Sequence, residues 1–292
     1  MKTQTSFTAS AGIGLRLPHL AEVAEALSHS GVGPNWLEIH PENFLANPHA
    51  TELLLEVARY RPVSVHTVGI SVGTATGIDR NHLKRLSQLV ERLQPALVSG
   101  HLAWSSFGET YLNDLLPIPY TKESLKITAG HIREVQDAIG RPYLIENPSS
   151  YVGFRSSSMS EPEFLTELVI KTGCKLLCDV SNIWVSSQNV QFDPYAYVDQ
   201  LPANAIGEFH LGGYTPEADP ATPNSEVLID THAAPISHPA WALYGYALNR
   251  IGSRPTLIEW DNDIPSLSTL LEEARTADEI RARMEVPNAL VS

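Results

Sequence analysis

The chain has 292 residues, with a hydrophobic fraction of 43%, a charged fraction of 18% and a formal net charge of −13 at pH 7. This acidic balance argues against nucleic acid as a partner, because nonspecific affinity for nucleic acid comes chiefly from Lys and Arg. The sequence has no apolar run of membrane length and no secretory signal, so we expect a cytoplasmic protein with no membrane partner. Its two cysteines, Cys174 and Cys178, are too few for a disulfide framework or a thiolate metal site.

Short apolar runs, typical of buried strands, alternate with helical periodicity along the chain. In chain order the predicted strands are 12–17, 36–41, 63–66, 97–101, 143–145, 175–180, 205–210 and 255–261. We expect Ser181 and Asn182 to extend the sixth strand. The long connection after the fourth strand carries Trp104 and Tyr111, which indicates a loop that covers a substrate.

Eight strands that alternate with helices predict a parallel sheet, and their number allows the sheet to close. We therefore predict an α/β fold that is a single (β/α)₈ TIM barrel. The domain covers 1–292, with the barrel at about 12–281 and short flexible ends. A doubly wound open sheet is the alternative.

Most of the predicted strands end on a histidine or a carboxylic acid. In a barrel these ends converge on one mouth, where the following residues would meet: His66, His101, Glu146, Asp179, His210 and Glu259. A single such residue is more often a satisfied polar group than a ligand. Six in one mouth would repel each other or stay unsatisfied, and bound cations remove that problem most directly.

The residue types narrow the choice of metal. Imidazole and carboxylate without thiolate suit Fe, Mn or Zn, and the number of carboxylates indicates at least two ions with Glu146 as a bridge. Asn182, Asp230 and His232 can complete a further metal position. Period-two alternation puts Glu38, His40 and Glu42 on one face. These residues and Asn43 are expected at the mouth, as outer partners of the ligands or as substrate contacts.

Several functions remain open on these grounds. A metal cluster in a barrel mouth can hydrolyse phosphodiesters, isomerise a sugar or activate oxygen, and a metal-storage or scaffold protein is the non-enzymatic alternative. A phosphate-handling enzyme should place Lys or Arg at the mouth. None stands among the predicted strand ends, which favours oxygen activation.

A set of eight motifs, in order along nearly the whole chain, resembles a known family. The motifs are HPEN (40–43), HTVGISVG (66–73), SGHLAWS (99–105), IENPSSY (145–151), CDVSNIWV (178–185), FHLGG (209–213), IDTH (229–232) and LIEWD (257–261). They resemble the multinuclear non-heme iron-dependent oxidative enzymes, the family that includes MbnB and TglH.

The resemblance implies a TIM barrel with two or three iron ions of mixed Fe(II)/Fe(III) valence. It implies three ligand sets, namely His66, His101 and Glu146; Glu146, Asp179, His210 and Glu259; and Asn182, Asp230 and His232. Among these, Glu146, Asp179 and His210 are the expected catalytic residues. Further substrate or outer-partner positions are expected at Asn147, Tyr214 and Asp261.

The implied activity is O₂-dependent modification of a cysteine in a ribosomally made precursor peptide, with a partner protein that presents the peptide. The cysteine thiolate would bind one iron, O₂ would be reduced at a ferrous neighbour, and hydrogen would leave the cysteine β-carbon. Excision of that β-carbon from a C-terminal cysteine, as in 3-thiaglutamate-type pathways, is the specific expectation.

Other outcomes stay open. They are an oxazolone or thioamide rearrangement in the same family, and a divalent-metal sugar isomerase or phosphodiesterase on a similar barrel. Many family members have histidine after the residue matching Asn189 and another at the position of Tyr214, whereas this chain has Val190 and Tyr214. These departures lie outside the implied ligand sets and bear on the substrate outcome.

Overall fold

The computed structural model describes residues 7, 9–108, 110–219, 222 and 225–285, so most of the predicted flexible ends lie outside the described residues. The strands of the described residues, in chain order, are β1 (Ala11–Gly14), β2 (Leu37–Ile39), β3 (Val63–Thr67), β4 (Val98–His101), β5 (Trp104–Phe107), β6 (Thr110–Leu116), β7 (Leu144–Glu146), β8 (Lys175–Asp179), β9 (Ile206–Gly212), β10 (Thr215–Ala218), β11 (Glu226–Ile229) and β12 (Thr256–Glu259). Eight of them, β1 to β4, β7 to β9 and β12, close into a parallel barrel in sequence order. The predicted TIM barrel is therefore confirmed.

Helices surround the barrel and connect its strands. Within the described ranges they are α1 (Leu17–His29), α2 (Pro48–Val57), α3 (Arg80–Leu93), α4 (Lys122–Ile139), α5 (Glu161–Thr172), α6 (Val180–Val190), α7 (Pro194–Gln200), α8 (His238–Ile251) and α9 (Leu267–Glu285). Among the residues that the structure describes, no helix is both long and apolar enough to cross a membrane.

Local sequence explains where several helices begin. The Ser160 side chain accepts the amide hydrogen of Glu163, and the Glu163 carboxylate accepts that of Ser160, which is the capping box predicted by this spacing. Asp79 caps α3 in the same manner through the amides of Asn81 and His82. The helices then bury their apolar faces against the barrel strands, so the main core lies between the two layers.

The sixth unit differs from the sequence prediction. Ser181 and Asn182 do not extend β8, because Asp179 accepts the amide hydrogen of Asn182 at 2.7 Å and caps α6 directly after the strand. Helical geometry turns the chain back within a few residues, whereas a strand would carry it away from the barrel. Asn182 consequently stays near the mouth.

Two predicted loops contain hairpins. The connection after β4 forms the antiparallel pair β5 and β6, and the connection after β9 forms β10 and β11. Both hairpins arise at the carboxyl ends of barrel strands, on the side where TIM-barrel enzymes place their sites. They flank the mouth and leave Trp104 half-buried and Tyr111 exposed.

The interior of the barrel is unusual in its polarity. A TIM barrel commonly fills this space with branched apolar side chains. Here several ionisable or hydroxyl side chains are fully buried on the strands, including Glu38, Ser64, His66, Ser99, Asp179, Glu208 and His210. The sequence therefore places polar chemistry inside the barrel as well as at its rim.

Candidate metal centre

The structure brings the six strand-end residues together at one mouth. Their ligand atoms form two groups, each with all atoms within 4.8 Å of one another. The first group is His66, His101 and Glu146, and the second is Glu146, Asp179, His210 and Glu259. Glu146 belongs to both, and strand register explains why, since His101 on β4 pairs with Glu146 on β7.

The first group has the geometry of a single ion site. Nε2 of His66 and Nε2 of His101 lie 3.2 and 3.3 Å from Oε2 of Glu146, and 3.3 Å from each other. Ligand atoms about 2.1 Å from one ion and roughly 100° apart are separated by about 3.2 Å. The three atoms can therefore bind one face of a single metal ion.

The second group is ordered by the start of α6 and by an amide bridge. Asp179 uses Oδ1 as the helix cap, and its Oδ2 is buried without a hydrogen-bond partner. Asn147 donates to the Asp179 carbonyl at 2.8 Å and accepts the Asp179 amide hydrogen at 3.0 Å, which joins the ends of β7 and β8. Nδ1 of His210 lies 3.1 Å from Oε2 of Glu259. Asn147 thus positions two carboxylates without contributing a ligand atom.

Two residues of the third predicted ligand set, Asp230 and His232, lie on a loop whose backbone is hydrogen-bonded to the ends of barrel strands. His232 donates its amide hydrogen to Gly213 at 2.9 Å, and its carbonyl accepts from Asp261 at 2.8 Å. Its φ of 45° lies in the left-handed region, a strained conformation that the surrounding contacts must maintain. Nε2 of His232 lies 2.8 Å from Oδ1 of Asp230, so both predicted residues reach the rim together.

Two further features complete this set. A Cβ on Gly212 would lie 2.4 Å from the His232 ring, so only glycine leaves room for the ring at the end of β9. Asn182, in the first turn of α6, places its amide nitrogen 3.3 Å from Oε1 of Glu146. Its Oδ1 accepts a hydrogen bond from Ser149 at 2.6 Å.

Arg16 lies at the mouth, although no arginine stands among the predicted strand ends. Its guanidinium contacts Asp261 at 2.5 Å, Glu259 at 3.4 Å and Nε2 of His40 at 3.1 Å. The predicted first strand, 12–17, included Arg16, but β1 ends at Gly14. Because Arg16 is already engaged by two carboxylates, it gives no support to a phosphate-binding mouth.

The remaining predicted positions fall into two groups. His40 lies 3.5 Å from Glu259, and Asp261 accepts from Nδ1 of His232 at 3.1 Å, so both adjoin the cluster. The other three have partners or positions away from the cluster. Glu42 accepts the Gly69 amide hydrogen and faces the ring of His82. Asn43 is exposed, and the Tyr214 hydroxyl accepts a hydrogen bond from Trp184 at 3.3 Å. The alternation that predicted Glu42 at the mouth ends at Pro41, where the chain enters a 3₁₀ turn.

The donor set fits a metal cluster. Oε2 of Glu146 and Oδ2 of Asp179 are buried atoms without a hydrogen-bond partner among the described residues. Each such atom costs about 1–3 kcal/mol when it stays unsatisfied. Burial, with neighbouring histidines, lowers the pKa of His66 and brings that of His101 to about 4, so both rings are neutral and can donate a lone pair.

Four other groups of the cluster have raised pKa values, so they bind protons that a cation can replace. Burial raises the pKa of Glu146, and burial with the nearby Asp230 raises that of Asp179 to about 7. Burial lowers the pKa of His210 and His232, but the negative charge of neighbouring carboxylates raises it by more, so the pKa of both rings is raised. A bound divalent cation would take the place of these protons.

The family is shown by comparison with known proteins. A family model described as "RiPP precursor modification enzyme MbnB/TglH/ChrH" matches residues 10–282. The chain belongs to this family. It is also 45% identical to a UPF0276 protein of Chromobacterium violaceum over 276 residues, 94% of this chain and 96% of the relative. A UPF0276 protein of Caulobacter vibrioides is 45% identical over 271 residues, 92% of this chain and 94% of the relative.

Solved structures of similar fold are more distant in sequence. An L-ribulose 3-epimerase has a TM-score of 0.58 at 16% identity, covering 97% of this chain and 98% of its own. A xylose isomerase domain-containing protein from Salmonella typhimurium has a TM-score of 0.59 at 13% identity, covering 94% of this chain and 98% of its own. At these identities the likeness shows the fold alone, and family membership carries the indication of an enzyme that modifies ribosomally made peptides.

Metal affinity is expected to rise with pH. The raised pKa values of Glu146, Asp179, His210 and His232 mean that binding must displace protons. Each displaced proton makes the apparent affinity rise about tenfold per pH unit below the pKa of its group. We expect calorimetric titration with Fe(II) under anaerobic conditions, in buffers of different ionisation enthalpy, to show proton release and an affinity that falls below about pH 7, where Asp179 becomes protonated. Binding that is independent of pH would contradict this protonation scheme.

Removal of the mouth arginine should destabilise mainly the metal-free protein. Arg16→Leu leaves Asp261 and Glu259 without their cation, and we expect a loss of about 2–4 kcal/mol in the free energy of unfolding. A bound metal should offset part of this loss. Chemical denaturation of both forms tests the expectation. Arg250→Leu is the control, because its ion pair with Asp199 is exposed and its loss should cost at most about 1 kcal/mol.

Proposed function

We propose that the protein is an O₂-dependent multinuclear iron enzyme that oxidatively modifies a cysteine of a ribosomally made precursor peptide. This proposal rests on two clusters of histidine and carboxylate side chains at the mouth of the barrel, which share Glu146. A shared carboxylate between two groups is the arrangement expected for a bridge between two ions. Family membership supplies the substrate class.

Three positions are proposed for two or three ions. The proposed ligand sets are His66, His101 and Glu146; Glu146, Asp179, His210 and Glu259; and Asn182, Asp230 and His232. A half-turn of the Asn182 side-chain amide would direct its oxygen toward the mouth, which is a small change because amide oxygen and nitrogen are nearly equal in size. When bound, iron supplies the one-electron and O₂ chemistry that these side chains lack.

The protein's own groups would bind and shield the substrate. Both mouth hairpins arise beside the cluster, and Thr215 on β10 is hydrogen-bonded to Thr231 at 2.8 Å, which holds that hairpin against the Asp230 and His232 segment. The Tyr151 hydroxyl accepts the amide hydrogen of Asp230 at 3.0 Å on the same rim. The cysteine of the peptide would enter between these elements, and a partner protein would present the rest of the peptide.

Excision of the β-carbon from a C-terminal cysteine is the specific reaction that we propose, as in 3-thiaglutamate-type pathways. It is one of the reactions that membership of this family allows. An oxazolone or thioamide rearrangement is the alternative within the family, since one scaffold supports several outcomes. A sugar isomerase or epimerase is the alternative on a similar barrel, suggested by the names of the structural neighbours.

Iron content and O₂ consumption test the proposed function together. We expect the purified protein to contain more than one equivalent of iron and to consume O₂ only with a cysteine-bearing peptide, such as one encoded in a neighbouring reading frame. The same peptide with serine in place of cysteine is the matched control and should leave O₂ consumption at background. Zinc alone, together with isomerase or phosphatase activity, would refute the oxidase.

The bridging role of Glu146 has a direct test in metal stoichiometry. Glu146→Ala removes one ligand from each of two positions, so the iron content should fall to no more than the equivalent held by Asn182, Asp230 and His232. Elemental analysis measures this directly. Glu42→Ala is the control, because Glu42 is engaged by Gly69 and His82, and it should retain its iron. Full iron content in the Glu146 variant would rule out the bridge.

A further inference from the structure

A second layer of buried polar groups lies beneath the candidate metal centre. Glu38 on β2 is fully buried, and its Oε2 accepts a hydrogen bond from Ser64 on β3 at 2.7 Å. Its other oxygen, Oε1, lies 3.2 Å from Nε2 of His210. Glu208, two residues before His210 on β9, approaches the same nitrogen only to 3.9 Å.

His66 and His232 share a common arrangement, whereas Nδ1 of His101 is buried without a hydrogen-bond partner among the described residues. Nε2 of His66 faces the first ligand group, while its Nδ1 lies 2.8 Å from the Ser99 hydroxyl. Nε2 of His232 faces Asp230, while its Nδ1 lies 3.1 Å from Asp261. In each ring one nitrogen faces the cluster and the other meets an outer polar partner, which is how proteins orient histidine ligands.

His210 follows the same arrangement with its nitrogens exchanged. Its Nδ1 lies 3.1 Å from Oε2 of Glu259, a member of the second ligand group, and its Nε2 lies 3.2 Å from Oε1 of Glu38. A neutral imidazole has one N–H and one lone pair, and the acceptor next to one nitrogen determines where the proton resides. A proton on Nε2 leaves the Nδ1 lone pair directed at the cluster.

We propose that Glu38 is the positioning residue for His210. Its Oε1 accepts the Nε2 proton, which selects Nδ1 as the metal-binding nitrogen, and Ser64 fixes the carboxylate in place through Oε2. The proposal rests on the proposed function only in requiring that a metal ion binds the group of Glu146, Asp179, His210 and Glu259. It does not depend on which metal is bound or on the reaction.

A direct ligand role for Glu38 is the competing interpretation. The ligand atoms of Glu38, His66 and His210 also lie within 4.8 Å of one another. However, His66 already directs Nε2 to Glu146 and Nδ1 to Ser99, so binding an ion beside Glu38 would remove one of these contacts. The positioning role requires no such loss.

Metal titration of variants distinguishes the two interpretations. We expect Glu38→Gln to weaken binding 10- to 100-fold at one class of site, the cost usual for an outer partner of a ligand, without changing the number of ions bound at saturation. Ser64→Ala should weaken the same class to a smaller extent. Zn(II) titration of the full-length metal-free protein measures both quantities, so the result is independent of iron and O₂ chemistry.

Glu208→Gln is the matched control, since it makes the same chemical change on a buried glutamate at a greater distance from Nε2. Its metal affinity should stay within about threefold of the parent, well short of the loss expected for an outer partner. Equal weakening in both variants, an unchanged affinity in Glu38→Gln, or loss of a whole equivalent in Glu38→Gln would each overturn the proposal.

Nitrogen spectroscopy provides a readout that a merely structural role would not change. Long-range ¹H–¹⁵N spectra of the zinc-loaded protein identify which ring nitrogen binds metal and which bears the proton. We expect His210 to bind through Nδ1 with its proton on Nε2, and Glu38→Gln to alter the Nε2–H signal while circular dichroism shows an unchanged fold. Metal bound through Nε2 in the parent protein would refute the assignment.

Discussion

The central physical constraint is the number of buried ionisable groups at the mouth of the barrel. Closure of the sheet brings the carboxylates of Glu146, Asp179 and Glu259 within reach of His66 and His210, in a space where water cannot solvate them. Charges in such a space are costly unless they are paired, protonated or bound to a cation. A cation bound here would satisfy atoms that the protein leaves unpaired, so its binding would also stabilise this region.

The scaffold around the ligands is as specific as the ligands themselves. Asn147 joins two strand ends, and the first turn of α6 places one carboxylate oxygen in a helix cap and leaves the other free. Gly212 gives room for the ring of His232, whose backbone is bound to the ends of two strands. Arg16 lies at the mouth and balances part of the negative charge of Glu259 and Asp261. These contacts hold ligand atoms on rigid elements, which is what a preorganised metal centre requires.

The structural neighbours illustrate how little the fold alone says about the reaction. An L-ribulose 3-epimerase and this chain share the barrel fold at 16% sequence identity. One barrel fold can carry many activities, which depend on the side chains that each chain places on it. The proposed function therefore rests on the shared carboxylate, the three histidines around it and the family match rather than on the barrel itself.

The sequence by itself determined the barrel and its six strand-end residues. Alternating strands and helices imply a parallel sheet, and a parallel barrel places all carboxyl ends at one mouth regardless of the details of packing. Periodicity also indicated that Glu38 shares a face with His40, but it did not indicate how deep each side chain lies.

Only the tertiary structure decided depth, loop path and pairing. Strand register places Glu38 below His210 instead of at the rim, and a helix cap at Asp179 returns Asn182 to the mouth. The 3₁₀ turn after His40 carries Glu42 away toward His82, while the early end of β1 brings Arg16 in. These outcomes depend on contacts between residues far apart in sequence, and a local pattern contains no information about such distances.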